Sequence, residues 1–382
     1  MTINNFYQDK LKVLKKSNLY RQLKVFDNIN CEVIGYNNQK TAEKYISFAS
    51  NDYLGLSQNK LVKETAIKAI EKYGCGAGSS RYITGNNQLY VELEKQLANF
   101  KKTDEAIVFS SGYACAIGVI PALVGEGDLV VADKFIHSCL LDGIKLSSAK
   151  LIRFNHNNLE HCQKILEQNR HNFKKCLLVS ETVFSMDGDL GKISELLNLA
   201  KQFQALFLSD DAHGLGLDNF KKNQFSNYHL QMGTLSKAFG VMGGYICGEK
   251  KIIDYLRNFA RSQIYSTALP PSVLGGAIIS LKIIKKQQLA KKALANAQFF
   301  CELMNLPIAE SAIVIINLKT SKQAIAIAKN ILKQKIIIAS IRPPTAITPR
   351  LRITFSANHT KLKIKKLAEI LKLELAKNKI KF

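Results

Sequence analysis

Nothing in this 382-residue chain approaches the ~20 consecutive apolar residues of a membrane span. The first sixteen residues are polar and basic with no apolar stretch, so a secretory leader is not expected there. The eight cysteines include no C-x-x-C pair, which removes the usual spacing argument for a zinc site or a redox motif. Most stand beside apolar residues, as in Lys175-Cys176-Leu177-Leu178 and Tyr245-Ile246-Cys247. Buried free thiols in a reducing, cytoplasmic compartment, with no metal, are the expectation. Acidic residues are scarce, 30 against 54 Lys and Arg, giving a formal net charge of +24. Such a surplus raises nucleic acid or an anionic membrane as partner. No basic run is interleaved with aromatics, however, and the cations are dispersed through helix-like segments among glutamates, the pattern of solvated faces. Neither nucleic acid nor membrane is therefore expected as a partner. A role for the charge in attracting an anionic thioester or an acidic carrier protein is testable by salt dependence.

The length exceeds the usual limit of one hydrophobic core, so two or three domains are expected. Residues 1–45 read as a basic helix leading into a short strand and turn around 32–38. Beyond residue 45, short apolar runs at 106–109, 129–132, 176–179 and 206–208 read as strands. Between the last two, Ile193, Leu196, Leu197, Ala200 and Phe203 recur at helical spacing. Strand, helix and strand in this order predict a mostly parallel sheet with helices on its faces, an α/β fold. From Pro270-Pro271 a long helical stretch runs to about residue 304, followed by a smaller α+β unit with strands at 312–318, 335–341 and 350–355 and a final helix at 362–376. That helix has apolar residues on one side and lysines on the other, and is expected to cover the small sheet. The predicted domains are an N-terminal segment (1–45), a large domain (46–285) and a small C-terminal domain (286–382). There is no internal repeat and no low-complexity linker.

In open parallel sheets ligands collect at the carboxyl ends of the strands, where Ser110-Ser111-Gly112-Tyr113, Glu181, Asp210 and Lys237 all fall. The segment Gly233-Thr234-Leu235-Ser236-Lys237-Ala238-Phe239-Gly240 lies downstream of a strand ending in Ser209-Asp210-Asp211-Ala212-His213-Gly214. A lysine, a carboxylate and groups for a phosphate are what pyridoxal phosphate (PLP) requires: an amine for its aldehyde and an acid to keep its pyridine nitrogen protonated. Lys237 and Asp210 fit those roles. One such lysine among 54 basic residues says little, and the set is what points to PLP. His213, three residues past Asp210, is a donor within reach of the same ring. Ser111-Gly112-Tyr113 joins a strand to an apolar helix beginning near Ala114, and a helix N-terminus is a favourable phosphate site. His137 follows another strand end and is a candidate to lie on a cofactor face. The glycine-rich run Gly74 to Gly85 lacks both the Gly-Lys-Ser/Thr of a P-loop and the preceding strand of a dinucleotide fingerprint.

These residues bring a family into view. The chain resembles the α-oxoamine synthases, PLP enzymes of the aspartate-aminotransferase fold type, over nearly its whole length. The matching segments are Ser50-Asn51-Asp52-Tyr53-Leu54-Gly55-Leu56, the glycine-rich loop, Glu181-Thr182-Val183-Phe184-Ser185-Met186-Asp187-Gly188, Asp210 to Gly214, the lysine segment, and Tyr265-Ser266-Thr267-Ala268-Leu269-Pro270-Pro271. Ile341-Arg342-Pro343-Pro344-Thr345 and Ser80-Arg81-Tyr82-Ile83-Thr84-Gly85 are most similar to members that condense L-alanine with a pimeloyl thioester, releasing CO2 and free thiol.

The resemblance implies roles for individual residues. Lys237 holds the cofactor and moves the α-proton, Asp210 meets the pyridine nitrogen, and His137 stacks on the ring and assists the developing oxyanion. Gly112, Tyr113, Ser185, His213 and Thr234 contact ring and phosphate, and Thr267 reaches the phosphate of a partner subunit. Arg352 grips the amino-acid carboxylate, a task suited to a guanidinium. Asn51, Arg21 and Thr345 face substrate. A homodimer with shared active sites is implied, the glycine loop and Thr267 facing the neighbour. The thioester carrier, coenzyme A or acyl carrier protein, stays open. Between Thr345 and Arg350 stand only Ala346-Ile347-Thr348-Pro349, where the family pattern has a slightly longer glycine-containing loop, so a different acyl-chain end of the pocket is expected. The alternatives are sister enzymes using glycine with acetyl-CoA or succinyl-CoA, or serine with a long acyl chain; more distant are a PLP aminotransferase and a basic nucleic-acid-binding protein.

Overall fold

The structure, a computed structural model, describes residues 3–29, 31–37, 41–216, 226–378 and 380. The chain divides into two compact units, one made of Met1–Tyr53, Met186–Gly188 and Lys292–Phe382, the other of Leu54–Ser185 and Asp189–Lys291.

The larger unit is built on a seven-stranded sheet. Its order is Glu105–Phe109, Gly244–Gly248, His229–Thr234, Leu206–Asp210, Cys176–Glu181, Leu129–Asp133 and Lys150–Phe154. Gly244–Gly248 runs antiparallel to both of its neighbours, and the other neighbouring pairs are parallel. Strand alternation explains the apolar runs: Val130, Ala132, Leu177 and Val179 enter one core, while Leu129, Val131, Cys176 and Leu178 enter the other. Both faces are covered, so polar side chains gather where the strands end. Asp133, Glu181, Asp210 and Thr234 are each the last residue of a strand, and all are buried.

The expected sheet is present, with strands that the apolar pattern does not announce. Lys150–Phe154 reads KLIRF and is partly exposed at its edge, and Gly244–Gly248 is framed by glycines. The single helical stretch expected from residue 271 to 304 is two helices, Pro271–Lys286 and Leu289–Met304. Four successive polar residues, Lys285-Lys286-Gln287-Gln288, interrupt the apolar stripe, and Gln287 takes an extended conformation.

In the smaller unit Phe26–Ile29, Glu32–Asn37 and Thr41–Ser47 form an antiparallel meander, extended in parallel by Ile336–Ile337. A second sheet has the order Ile313–Asn317, Arg350–Thr354, Ala339–Ile341. The strand expected over 335–341 is thus divided, its first half completing one sheet and its second half the other. Helix Lys361–Lys377 buries Ile364, Leu367, Leu371 and Leu375 in a core with Phe300, Ile353 and Phe355, as a helix covering a sheet should. Among the described residues, no helix is long and apolar enough to cross a membrane.

Candidate active site

The carboxyl edge of the large sheet brings its predicted residues together. Lys237 follows the strand His229–Thr234, and its Nζ lies 2.8 Å from Nε2 of His213. Asp210 ends the adjacent strand, where its Oδ1 accepts the Ala212 N–H at 3.0 Å. Across the next strand pair Asp210 stands in register with Glu181. Burial pushes the Asp210 carboxyl above the usual range, against the pull of the Lys237 charge. Glu181 is driven well up as well, by burial first and then by Asp210. Two enclosed acids facing one lysine favour a further cationic group at this edge.

His137 caps the helix Ser138–Ser147, its Nδ1 accepting the Cys139 N–H at 3.2 Å. Its own N–H donates to Oε1 of Glu181 at 2.5 Å. Burial and then the Lys237 charge hold its pKa below the ordinary histidine value. A neutral ring that accepts at Nδ1 carries its proton on Nε2.

The helix Gly112–Leu123 begins beside Thr234. A Cβ at Gly244 would meet the Ser111 carbonyl at 2.4 Å, so the helix mouth sits here only because that position is glycine, and one at Gly112 would stand in tight contact, 3.3 Å, with Cβ of Thr234. Ser111 Oγ accepts the Ala114 N–H at 3.0 Å, while the N–H groups of Gly112 and Tyr113 belong to the open first turn. Thr234 Oγ1 donates to the Gly243 carbonyl at 2.8 Å and lies 2.7 Å from Ser236 Oγ. Ser185 is buried just beyond the strand that ends in Glu181. Tyr113 is half exposed and bonds Asp142 through its hydroxyl at 2.8 Å. An amine, a buried acid, a neutral imidazole and an anion-accepting helix mouth on one edge fit PLP as a donor set.

Thr267 is exposed and its backbone bridges to Ser80 in the glycine-rich segment. The Arg81 side chain, by contrast, turns into its own chain: it pairs with Glu94 at 2.5 Å, bonds Asn86, and lies 4.0 Å from the Tyr90 ring centroid.

In the smaller unit the buried Arg352 donates to Asn51 Oδ1 at 3.3 Å and to the Tyr53 hydroxyl at 3.2 Å. Arg350 instead bonds Asp187 at 2.5 Å and the Met186 carbonyl at 2.9 Å, an anchoring role. Arg21 and Thr345 meet through a 2.9 Å hydrogen bond. Two groups escape a reading of motifs. Glu181 sits in a matching segment with no role attached, yet it is the acid that holds the His137 backbone. Lys101 forms a buried ion pair with Asp211, which also accepts the Thr182 hydroxyl at 2.8 Å. Lys101 lies 110 residues from its partner with nothing local to mark it.

The class I and II aminotransferase family matches residues 43–371, and the chain belongs to it. Its cofactor is pyridoxal phosphate, and its architecture is the aspartate-aminotransferase fold. A serine palmitoyltransferase from S. paucimobilis, solved with a bound PLP-myriocin aldimine, superposes with a TM-score of 0.89 at 26% identity over 97% of each chain. The 8-amino-7-oxononanoate synthase of Methylobacterium nodulans is 38% identical, covering 97% of this chain and 96% of that protein. The Methylocella silvestris enzyme of that name is 41% identical over 85% of this chain and 95% of its own. A solved 8-amino-7-oxononanoate synthase from Francisella tularensis is 30% identical with a TM-score of 0.76, covering 88% of this chain and 99% of that one. Within the larger family, the chain is thus a member of the 8-amino-7-oxononanoate synthases.

Proposed function

We propose that the chain condenses L-alanine with a pimeloyl thioester, losing CO2 and releasing free thiol to give 8-amino-7-oxononanoate, a step of biotin synthesis. The observation that supports this best is the Lys237, His213 and Asp210 set at one sheet edge of a chain about 40% identical to enzymes of that name. The larger unit is read as the cofactor-binding domain.

When bound, PLP supplies an electron sink that stabilises negative charge at the amino acid's α-carbon. The chain's own groups do the rest. Asp210, enclosed at its strand end, would accept a hydrogen bond from the pyridine N–H and so keep that nitrogen protonated. The open turn at Gly112 and Tyr113, with Thr234 beside it, holds the phosphate. Ser185 and His213 contact ring substituents. Lys237 is the base for the α-proton, and the contact with His213 fixes its amine. Neutral His137, which would lie against the cofactor ring, carries its proton on Nε2 and would donate it to the thioester oxygen as charge develops there. Arg352, steadied by Asn51 and Tyr53, binds the alanine carboxylate. Arg21 and Thr345 face the acyl group.

The functional protein is proposed to be a homodimer with shared active sites. Exposed Ile83, Met242, Tyr265 and Thr267 in the larger unit support a covered face. Mixing Lys237→Ala chains with Thr267→Glu chains should restore about a quarter of the wild-type activity, because each hybrid keeps one intact site. Verified hybrids without recovery would rule out sharing at Thr267. The surplus of basic residues is compatible with either coenzyme A or an acidic acyl carrier protein as thioester carrier.

A screen of alanine, glycine and serine against pimeloyl, acetyl, succinyl and palmitoyl thioesters, read by thiol release, tests the reaction. Alanine with pimeloyl should exceed every other pair. The best turnover with serine and a long acyl chain would instead favour the activity named for the S. paucimobilis relative.

A further inference from the structure

His156, just past the strand Lys150–Phe154, has no place in the chemistry above, yet it is bonded at both ring nitrogens. Nδ1 lies 3.0 Å from Oδ1 of Asp133, and Nε2 lies 2.7 Å from Oδ2 of Asp189. Both partners are carboxylates, so both nitrogens must donate and the ring is an imidazolium. Phe135 stacks on it at 4.5 Å and Phe184 meets it edge-on at 4.3 Å. Each contact leads to a residue of the proposed site. Asp133 also accepts the Phe135 N–H at 2.8 Å, in the loop that ends at His137. Asp189 closes the turn that contains Ser185, where the Phe184 N–H donates to the Asp189 carbonyl at 3.1 Å and Val183 bridges to Leu190. Asn157 doubles the link, donating its backbone N–H to Asp133 at 2.8 Å and its amide to Asp189 at 2.9 Å.

We propose that His156 is a positioning residue: a cation gripping one carboxylate on each of two loops, it fixes the loop of His137 relative to the turn of Ser185 and so the placement of two groups that would seat the cofactor. The proposal rests on reading those two residues as cofactor contacts. Burial by itself would lower the pKa of His156; the bonds to Asp133 and Asp189 outweigh it and raise the value to about 10. The grip therefore persists at neutral pH.

The test measures PLP affinity of the apoprotein and the visible circular dichroism of bound PLP, neither of which requires turnover. His156→Gln keeps a hydrogen-bonding side chain but loses the charge and the two-sided grip. It should raise the PLP dissociation constant about tenfold and cut the dichroic band by at least half at saturating PLP. It should lower kcat while the apparent KM for alanine stays within about twofold, because Arg352 holds the carboxylate. Asp189→Asn, which retains an acceptor for Nε2, should keep most of the band, and Asp189→Ala should lose it. If His156→Gln fails to give a cooperative unfolding transition, the two Asp189 variants decide by the same readouts. Wild-type affinity and dichroism in His156→Gln, with both altered in His137→Ala, would overturn the clamp and leave the site reading standing. If neither His137→Ala nor Ser185→Ala moved the cofactor signals, the underlying reading would fall instead.

Discussion

Replacing Lys101 by methionine should expose how much the buried layer next to the site depends on charge balance. The side chains of Lys101 and Asp211 are 7% and 4% exposed. So enclosed a pair contributes little net stability, since desolvation of two ions offsets their attraction. Removing one partner is different, because it strands the other charge, at about 3–5 kcal/mol. Lys101→Met preserves the length and apolar stem of the side chain, so packing changes little and the loss is mostly electrostatic. In that variant Asp211 keeps its bond from the Thr182 hydroxyl, a single neutral donor for a full negative charge. Lys101→Met with Asp211→Asn removes the stranded charge and keeps an acceptor for Thr182. Its remaining cost is one amide donor short of a partner, about 1–3 kcal/mol. The chain has no tryptophan, so urea unfolding of the apoprotein is followed by far-ultraviolet circular dichroism. With a slope of about 3 kcal/mol/M, the single variant should lower the midpoint by roughly 1 M or more, and the double variant by clearly less. A single variant within about 1 kcal/mol of wild type, or a double variant no better than the single, would refute the reasoning.

Three further outcomes are expected. Lys237→Ala should abolish turnover and let PLP leave on dialysis, as followed by visible absorbance, whereas the wild type stays yellow. Asp210→Asn should fold normally by circular dichroism but slow α-proton exchange of L-alanine, read by NMR in D2O, by orders of magnitude, since the protonated pyridine is lost. Arg352→Ala should weaken alanine binding by about 1.5–3 kcal/mol, roughly 10- to 150-fold; an unchanged apparent affinity would move the carboxylate contact to another residue.

Four strands of the large sheet are legible in the sequence because they are buried and read as unbroken apolar runs, whereas the equally buried His229–Thr234 and Gly244–Gly248 are broken by polar residues and glycine. Where one strand lies at an edge and alternates with charge, as in KLIRF, the same signal disappears. Lys237 and His213 are legible for a related reason: each lies just past the end of a buried strand, and the sheet's topology places such residues on one edge. His156 with Asp133 and Asp189, or Lys101 with Asp211, unite residues from separate elements with no local pattern to relate them. Arg81 illustrates the limit most clearly. The Arg81 guanidinium is committed to a glutamate on the helix Gln88–Lys101, a partner that nothing in the glycine-rich segment itself marks.

The discontinuity of the smaller unit has a consequence for synthesis. Its first 53 residues leave the ribosome long before Lys292–Phe382, and the 238 residues between them (54 to 291) must be made first. At about 5–20 residues per second, that interval is roughly 12–50 s. Throughout it the strands Phe26–Ile29 and Glu32–Asn37 have one another to pair with but lack the core that Phe300, Ile353 and Phe355 later provide. The larger unit, interrupted only by Met186–Gly188, is complete once residue 291 has emerged. A ribosome-bound chain stalled near residue 330, with 54–291 clear of the exit tunnel, should therefore resist protease over most of that stretch while being cut readily within its first 53 residues, and completing the chain should protect them.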